Sequence, residues 1–311
     1  MRSSRSLALL TNPAAGKGKG TRTAGMALPR LREAGYAVRD LAGRSADEAL
    51  DLARQCVADG VESLVVCGGD GMVHLGVQAV AGTQTRLGII PAGTGNDVAR
   101  YLDIPRRDPQ RAADVVIGSR ERTIDLARVG PSSGVPPEAG AQRAPSWGGA
   151  YFVTVLAAGF DAIVSERANQ MTWPRGQLRY NLATVAELHA LKPIPYVLGL
   201  DGEEIRLEAT LVAVGNGPSF GGGLRICEGA VLDDGLLDVV VIKPLGKLEL
   251  LRTYPKLFRG THVHHPQYQH YRVREVSLAA PGIVAYADGE RIGPLPLTVR
   301  AVPGALRVLV P

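Results

Sequence analysis

The chain has 311 residues, of which 45% are apolar and 21% are charged, and its formal net charge is +5. This length suits two ordinary domains, and the composition excludes a chain that is mostly disordered. The basic charge fits acidic partners such as nucleotides or anionic lipid headgroups without choosing between them, and no nucleic-acid partner is expected.

The spacing of the cysteines and the lengths of the apolar runs indicate where in the cell the protein is located. The three cysteines are far apart and odd in number, so no disulfide framework or paired metal site is predicted. The apolar run at residues 7–10 is shorter than the core of a secretory signal, and no run approaches the roughly 20 residues of a membrane-spanning helix. We therefore expect a cytoplasmic protein whose membrane contact is peripheral, at the inner face of the membrane.

Residues 1–128 are predicted to alternate strands and helices. Ser45 is a good N-cap for one of these helices, because Asp47 and Glu48 follow it in the first turn. Strands that are apolar throughout and separated by helices indicate a parallel sheet covered on both faces. The first domain is therefore predicted to be α/β. Its predicted strands are residues 7–10, 36–41, 64–67 and 87–90.

The pattern changes after residues 130–149, which are rich in Pro, Gly, Ser and Ala and are predicted to form a flexible loop or linker. Strand patterns separated by turns, with one helix near residues 178–191, then predict a mostly β sandwich domain over 129–311. The sequence leaves open which domain the final strand, around 305–310, pairs with. The predicted strands of this domain are residues 151–158, 196–200, 204–214, 236–242 and 275–280.

The tetrapeptide Gly68-Gly69-Asp70-Gly71 lies between a buried strand and a helix. Open α/β sheets bind ligands at the carboxyl ends of their parallel strands, where glycines and helix N-termini can approach phosphates. An aspartate in a phosphate-binding turn is electrostatically costly unless it holds a cation. Asp70 is therefore a candidate for engaging Mg²⁺, directly or through water. The alternative is a tight turn in which Asp70 caps the helix.

Residues 91–97, Pro-Ala-Gly-Thr-Gly-Asn-Asp, follow the next strand in the same manner. Two glycine-rich loops at neighbouring strand ends can hold one nucleotide, with Thr94 and Asn96 as hydrogen-bond donors. Asp97 adds a second acidic group near Asp70. A third loop, residues 12–20, carries lysines suited to phosphates, although a solvated loop explains those lysines equally well.

Familiar nucleotide motifs do not fit these loops. No segment has the G-x-x-x-x-G-K-[ST] pattern of a P-loop. The dinucleotide fingerprint G-x-G-x-x-G fails because Val98 occupies the third glycine position after Gly93 and Gly95. A nicotinamide-dependent dehydrogenase is therefore a distant alternative.

The loops NPAAGKGKG, GGDG and PAGTGND, at these separations, resemble the catalytic family of diacylglycerol kinases, which includes bacterial lipid kinases and sphingosine kinases. The resemblance continues through AGFDA at 158–162, the segment 214–242 and Asp288-Gly289-Glu290. It covers nearly the whole chain apart from residues 130–149. GGDG alone also occurs in NAD kinases, but the later motifs are much more specific to the lipid kinases.

The resemblance implies an ATP site in the cleft between the two domains, with Mg²⁺ as the cofactor. It also implies phosphoryl transfer to a lipid hydroxyl, with diacylglycerol as the favoured substrate and phosphatidic acid as the product. A homodimer is compatible with the sequence. The nucleotide-binding residues it implies are Asn12, Gly16, Lys17, Gly68, Gly69, Asp70, Gly71, Met72, Val73, His74, Thr94, Asn96 and Asp97.

The resemblance also implies two metal sites. Asp70, Asp97 and Asp125 would belong to a metal and water network, although Asp125 is equally explained by a hydrogen bond at a strand end. A second, structural magnesium would be held by the side chain of Asp234. A plain hairpin turn is the alternative at this second site. The other ligands implied there are the carbonyls of Val231 and Leu236.

Asp288-Gly289-Glu290 would supply the catalytic base, since a carboxylate beside the attacking hydroxyl orients it and accepts its proton. We favour Asp288 and keep Glu290 as the second choice, because members of the family differ on which of the two residues is credited. A simple turn is again the alternative.

The chain departs from the family pattern after GGDG. The family usually has a threonine there and an Asn-Glu pair two residues on, whereas this chain has Met72 followed by Val73 and His74. The lost hydroxyl and carboxylate motivate one alternative, a catalytically silent regulator that binds nucleotide or lipid. An NAD kinase-like enzyme is the other.

Two further groups of residues have weaker interpretations. His262, His264 and His265 lack a fourth ligand for a zinc site, so a structural loop or domain-closing segment is favoured. Trp173, Arg175 and Tyr180, near the predicted helix, suit a membrane interface at the lipid entrance, but ordinary packing explains these residues equally well.

Overall fold

A computed structural model of the protein describes residues 6–11, 19–132, 149–171, 173, 182–183, 186 and 192–311. Several predictions fall outside these residues: the nucleotide-binding residues Asn12, Gly16 and Lys17, most of the linker at 130–149 and most of the helix at 178–191.

The helices of the first half occur where the sequence predicted them, apart from α5, and no helix of the described residues is long and apolar enough to cross a membrane. Ser45 caps α2 by accepting a hydrogen bond from the Glu48 amide, as its side chain and position predicted. The helices are α1 (Lys19–Glu33), α2 (Ala46–Ala58), α3 (Asp70–Val80), α4 (Asp97–Tyr101), α5 (Pro109–Gly118), α6 (Phe160–Gln170) and α7 (Lys247–Leu257), with a 3₁₀ turn at Thr261–His264.

The strands are short in both halves except for β5 and β16. They are β1 (Ser6–Thr11), β2 (Ala37–Ala42), β3 (Ser63–Gly68), β4 (Arg86–Pro91), β5 (Glu121–Pro131), β6 (Ala150–Phe152), β7 (Val155–Gly159), β8 (Ile194–Leu200), β9 (Glu203–Ala209), β10 (Leu211–Gly215), β11 (Leu237–Ile242), β12 (Tyr268–Val273), β13 (Glu275–Ala279), β14 (Val284–Ala287), β15 (Glu290–Pro294) and β16 (Leu297–Leu309).

The chain forms two compact units. Unit 1 consists of Met1–Leu126, Gly221–Gly223 and Val302–Pro311, and unit 2 consists of Ala127–Phe220 and Leu224–Ala301. The sequence placed the division at residue 128 and left open which domain the final strand pairs with. In the structure, the glycine run at 221–223 and the final residues belong to unit 1.

Unit 1 is built on a parallel sheet in the order β2-β1-β3-β4, which the second half of β16 extends through a parallel pairing of Val308 with Leu87. β1, β3 and β4 are buried along almost their whole length, as expected for strands covered on both faces. This arrangement brings the carboxyl ends of β3 and β4, and the glycine-rich loops that follow them, to one edge of the sheet.

Unit 2 is a mostly antiparallel β sandwich, as predicted. One sheet contains β9, β8, β13 and the first half of β16, and the other has the order β12-β11-β10-β7-β14-β15. Side chains from both sheets, including Leu198, Val276, Leu156 and Val239, form one buried cluster. The final strand pairs in both units, since Leu297–Arg300 lie beside β13 and Val308 lies beside β4.

The predicted strand at 151–158 is in fact two strands, β6 and β7. The break falls at Val153 and Thr154, whose backbone amides donate to the Asp288 carboxylate at 2.9 and 2.8 Å. These two amides are engaged by a side chain at this point, and a continuous strand through residues 151–158 is not formed. The predicted strand at 204–214 is likewise two strands, β9 and β10, which belong to different sheets. Strands β5, β12, β14 and β15 and helices α6 and α7 were not predicted.

Candidate active site

The two glycine-rich loops of unit 1 contact each other through their backbones. The Ala92 amide donates to the Gly68 carbonyl at 2.7 Å. A Cβ atom added to Gly93 would lie 2.5 Å from the Gly69 Cα, a distance at which one backbone must move. Glycine at position 93 therefore reflects the close approach of the two loops.

The Asp70 carboxylate joins the two loops. Its Oδ2 accepts a hydrogen bond from the Asn96 amide at 2.8 Å, and its Oδ1 accepts one from the Asp97 amide at 2.7 Å. A Cβ at Gly95 would lie 2.6 Å from Asp70 Oδ2, so the carboxylate fills the space that this glycine leaves open. Asp70 thus satisfies amides at the start of α4, a capping role for a helix other than the one it begins.

Asn96 closes the second loop on itself. Its backbone is left-handed (φ 53°), its Oδ1 accepts from the Gly93 amide at 3.1 Å, and its Nδ2 donates to the Gly93 carbonyl at 2.8 Å. The side chain is buried, so the predicted nucleotide donor is occupied in forming the loop. Thr94, the other predicted donor, is exposed and has no side-chain partner among the described residues.

Asp97 is 5% exposed, and it binds a segment that lies far along the chain. Its Oδ2 accepts from the Gly222 amide at 2.7 Å, and its Oδ1 lies 3.8 Å from Arg100 Nε. Arg100 also donates from Nη2 to the Gly95 carbonyl at 3.2 Å, and a Cβ atom added to Gly223 would lie 3.4 Å from its guanidinium. Sequence reasoning missed both Arg100 and the position of the glycine run, although the run lies in the segment 214–242 that carries the family resemblance.

The residues that depart from the family pattern after GGDG are mostly packed inward. Met72 and Val73 are 6% and 4% exposed, so they offer little surface to a nucleotide. Met72 covers Gly68, where an added Cβ would lie 2.3 Å from its Cγ. His74 is half-buried beside Gln78.

Cys67, which precedes the GGDG loop, does not offer a nucleophile. Burial raises the pKa of its thiol to about 12, and its Sγ faces the Gly20 carbonyl.

Asp125 lies on β5 and is 4% exposed; its Oδ1 accepts from the Gly304 amide at 2.7 Å. Within the described ranges, no three His, Cys, Asp or Glu side chains cluster as a metal-ligand set. Carboxylates that already accept backbone amides, as Asp70, Asp97 and Asp125 do, still offer lone pairs to a hydrated cation. The described residues therefore do not bring these three carboxylates together as a metal site made of protein ligands alone.

In unit 2, Asp288 occupies the turn between β14 and β15 with a left-handed backbone (φ 50°). Three donors hold its carboxylate: the Val153 amide, the Thr154 amide and, at 2.6 Å, the Thr154 hydroxyl. Glu290, two residues later, is exposed. The structure therefore gives the two candidate bases different settings, one fixed by three hydrogen bonds and the other facing solvent.

The predicted second magnesium site surrounds Asp234. Its Oδ1 accepts from the Leu236 amide at 3.0 Å, and its Oδ2 is paired with the guanidinium of Arg272. Arg272 therefore balances the charge of this carboxylate, and a magnesium ion at Asp234 stays a prediction.

The three histidines near residue 262 do not converge. His262 is fully buried, its Nε2 lies 3.0 Å from the Ile226 carbonyl, and burial lowers its pKa. His265 faces Glu249 at 3.2 Å, and His264 is exposed. These separate surroundings are those of a structural loop.

Unit 1 is an α/β domain with paired glycine loops and unit 2 is a β sandwich, and comparisons with known proteins identify the family that has these two domains. Residues 6–129 match the diacylglycerol kinase catalytic domain, and residues 154–310 match the YegS C-terminal NAD kinase beta sandwich-like domain. A protein of Mycobacterium tuberculosis named diacylglycerol kinase is 43% identical over 97% of this chain and 94% of its own length. The chain belongs to the diacylglycerol kinase family.

Solved structures agree with this assignment at the level of the fold. A putative diacylglycerol kinase from Bacillus anthracis matches with a TM-score of 0.79 and 21% identity, covering 100% of this chain and 97% of that one. An NAD kinase from Archaeoglobus fulgidus, solved in complex with ATP, matches with a TM-score of 0.51 and 14% identity, covering 98% and 93% of the two chains.

Proposed function

We propose that the protein is an ATP- and magnesium-dependent lipid kinase that phosphorylates the hydroxyl of diacylglycerol and produces phosphatidic acid. The observation that carries the proposal is the pair of glycine loops joined by Asp70, found in a chain of the diacylglycerol kinase family. Because diacylglycerol lies in the bilayer, the protein would work peripherally, at the inner face of the cytoplasmic membrane.

Unit 1 would bind ATP. The loops after β3 and β4 lie at the carboxyl edge of a parallel sheet, and their glycines leave the backbone open to phosphate oxygens. Gly71, Gly93 and Thr94 are exposed at this edge, and Thr94 offers a hydroxyl donor. The NAD kinase that shares this fold was solved with ATP, which supports the same nucleotide here.

Magnesium, when bound with the nucleotide, would offset the negative charge of the phosphates. Asp70 and Asp97 are the residues of unit 1 that would hold it through water, with Asp125 as a further member of the network. The family assignment supports this role, and the geometry adds that Asp70 keeps both loops in place at the same time.

A carboxylate of Asp288-Gly289-Glu290 would act as the base. The lipid hydroxyl oxygen forms a bond to the γ-phosphorus, the bond from that phosphorus to the β-phosphate oxygen breaks, and ADP leaves. The hydroxyl proton passes to the carboxylate. Asp288 is the favoured base because three donors fix its orientation, and Glu290 is the alternative because it faces solvent.

The test measures transfer of labelled γ-phosphate from ATP to diacylglycerol in mixed micelles with magnesium, with the products separated by chromatography. We expect labelled phosphatidic acid from the wild type. We expect a loss of about a thousandfold in kcat for whichever of Asp288→Asn and Glu290→Gln removes the base, and a smaller loss for the other. Near-normal turnover in both variants would overturn the assignment of the base to this turn.

Two control reactions separate the alternatives. NAD offered in place of lipid should yield no phosphorylated product, whereas an NAD kinase-like enzyme would phosphorylate it. A protein that binds ATP but labels no lipid in a panel of lipid alcohols would be a silent regulator. Met72 and His74, in place of the usual polar residues, motivate that alternative.

A further inference from the structure

Helix α7 exposes a stripe of large apolar side chains. Leu248 is 71% exposed, Leu251 50%, Tyr254 38% and Phe258, directly after the helix, 45%. These positions recur every three or four residues and therefore share one side of the helix. Of the eight large apolar side chains exposed in the described part of the chain, these four fall within residues 248–258. Such a concentration marks an interaction surface rather than scattered surface residues.

The stripe is separate from the side that holds α7 in place. Leu250, Thr253 and Leu257 are 6–7% exposed, and the two leucines belong to the buried cluster of unit 2 that also contains Leu245. The helix therefore already has its core contact, and none of the four stripe residues belongs to that cluster.

Basic residues flank the stripe. Arg252, Lys256 and Arg259 are exposed, and none of the three forms an ion pair within the described residues. The single acidic residue of the helix, Glu249, faces His265 at 3.2 Å. A helix with an apolar stripe bordered by unpaired cations has the pattern of an interfacial helix that lies in the plane of an anionic bilayer.

We infer that the outer face of α7, formed by Leu248, Leu251, Tyr254, Phe258, Arg252, Lys256 and Arg259, docks on the surface of an anionic lipid bilayer. The inference rests on the proposed function, whose substrate lies in such a bilayer, and it names the surface by which the protein reaches that substrate.

A second copy of the chain is a poorer occupant for this face. In a twofold contact, each copy presents the same patch to the other, so the unpaired cations of one α7 would lie near those of its partner. Lipid phosphates instead supply the opposite charge, and the acyl region accepts the apolar stripe. Charge complementarity therefore selects the bilayer.

The test is flotation of the full chain with vesicles in the absence of ATP and diacylglycerol, so the outcome does not depend on catalysis. The wild type is expected to float with vesicles of mixed phosphatidylglycerol and phosphatidylcholine and not with phosphatidylcholine alone. Leu251→Ser combined with Phe258→Ser should lower the partition coefficient at least about tenfold. Arg252→Gln combined with Lys256→Gln should lower the partition coefficient about fivefold for each residue replaced, and this difference from the wild type should shrink as salt is added.

A matched control lies on α1, where Met26 is 42% exposed and Arg32 is exposed near the helix end. Met26→Ser combined with Arg32→Gln should leave flotation unchanged. Unchanged flotation of both α7 variants, or no flotation of the wild type, would overturn the inference. So would a wild-type dimer that the α7 variants convert to monomers while vesicle binding persists, because the face would then belong to a second copy.

The same vesicle experiment separates this inference from the proposed function. If the wild type floats through α7 but labels no lipid, the docking surface is supported and the proposed kinase activity is contradicted. If the wild type phosphorylates diacylglycerol in micelles but the α7 variants float normally, the kinase activity is supported and the docking surface is contradicted.

Discussion

Asp70 in unit 1 and Asp288 in unit 2 occupy similar positions, each beside a glycine in a tight turn, and each accepts two backbone amides from a distant segment. The partners of Asp70 are 26 and 27 residues away, at the start of α4. The partners of Asp288 are 135 and 134 residues away, between β6 and β7, and the Thr154 hydroxyl adds a third hydrogen bond. Asp70 joins two loops, whereas Asp288 holds a turn against an interrupted strand.

The difference matters for how the two residues are tested. Removing Asp70 releases two amides and separates the loops that would hold ATP, so both binding and stability should change. The Asp288 carboxylate also accepts the Thr154 hydroxyl, so replacing Thr154 can change the orientation of the carboxylate without removing it. A control that removes a similar structural hydrogen bond elsewhere is therefore needed in each unit.

The largest effect is expected for Asp70→Ala. We expect kcat/KM to fall by about a thousandfold, because the carboxylate would both help to hold magnesium and position the loops. The free energy of unfolding should fall by about 1–3 kcal/mol, since two amides lose their acceptor. Steady-state kinetics and thermal unfolding measure the two effects.

Asp108→Ala is the control for Asp70→Ala in the same unit. Asp108 accepts the amides of Gln110 and Arg111 at the start of α5, at 3.1 and 3.0 Å. Its removal should cost about 1 kcal/mol of stability and leave activity unchanged. Equal losses of activity in both variants would show that Asp70 acts through stability alone.

A smaller effect is expected for Gly93→Ala, which would push the two glycine loops apart. The added Cβ would lie 2.5 Å from the Gly69 Cα, so KM for ATP should rise and kcat/KM should fall about a hundredfold. Isothermal titration with ATP measures the binding directly. Gly25→Ala on α1 is the control, because an added Cβ there meets no atom within 4 Å. Unimpaired ATP binding in Gly93→Ala would contradict a site at these loops.

The smallest effect is expected for Thr154→Val, which removes the third donor to Asp288 and keeps the carboxylate. We expect kcat to fall about tenfold with KM for ATP unchanged, and stability to fall by about 1 kcal/mol. Thr298→Val, which removes a hydroxyl contact to Ser132 at 3.1 Å, is the control and should keep full activity. An unchanged kcat in Thr154→Val would indicate that the position of Asp288 is unimportant and would favour Glu290 as the base.

Much of the fold of unit 1 could be predicted because its signals are local. The apolar runs at 64–67 and 87–90 became β3 and β4, and the glycines after them became the loops at the sheet edge. Helix α7 was missed, since Pro255 lies within it and large apolar residues occupy both its buried and exposed sides. A proline within a helical pattern predicts a break in the helix, and apolar residues on two sides of a helix obscure its helical period.

The candidate site was predictable in its residues but not in its contacts. Thr94 and the glycines lie where the strand ends placed them. Asn96 turned inward to Gly93, Asp97 bound Gly222, and Arg272 paired with Asp234. The contact between Asn96 and Gly93 is local, within one loop. Gly222 and Arg272 lie 125 and 38 residues from their partners, so those two pairings depend on how separate segments pack.

The sequence by itself determined the alternation of strands and helices, the glycine loops at the ends of β3 and β4, and the β character of the second half. These features follow from apolar periodicity and from backbone freedom at glycine, which act over a few residues. Only the tertiary structure decided which amides the carboxylates of Asp70, Asp97 and Asp288 accept, which strand the chain's end joins, and that α7 presents an apolar face outward. Those outcomes depend on contacts between residues as far apart in the sequence as Leu87 and Val308, where the geometry of the packed chain selects the partners.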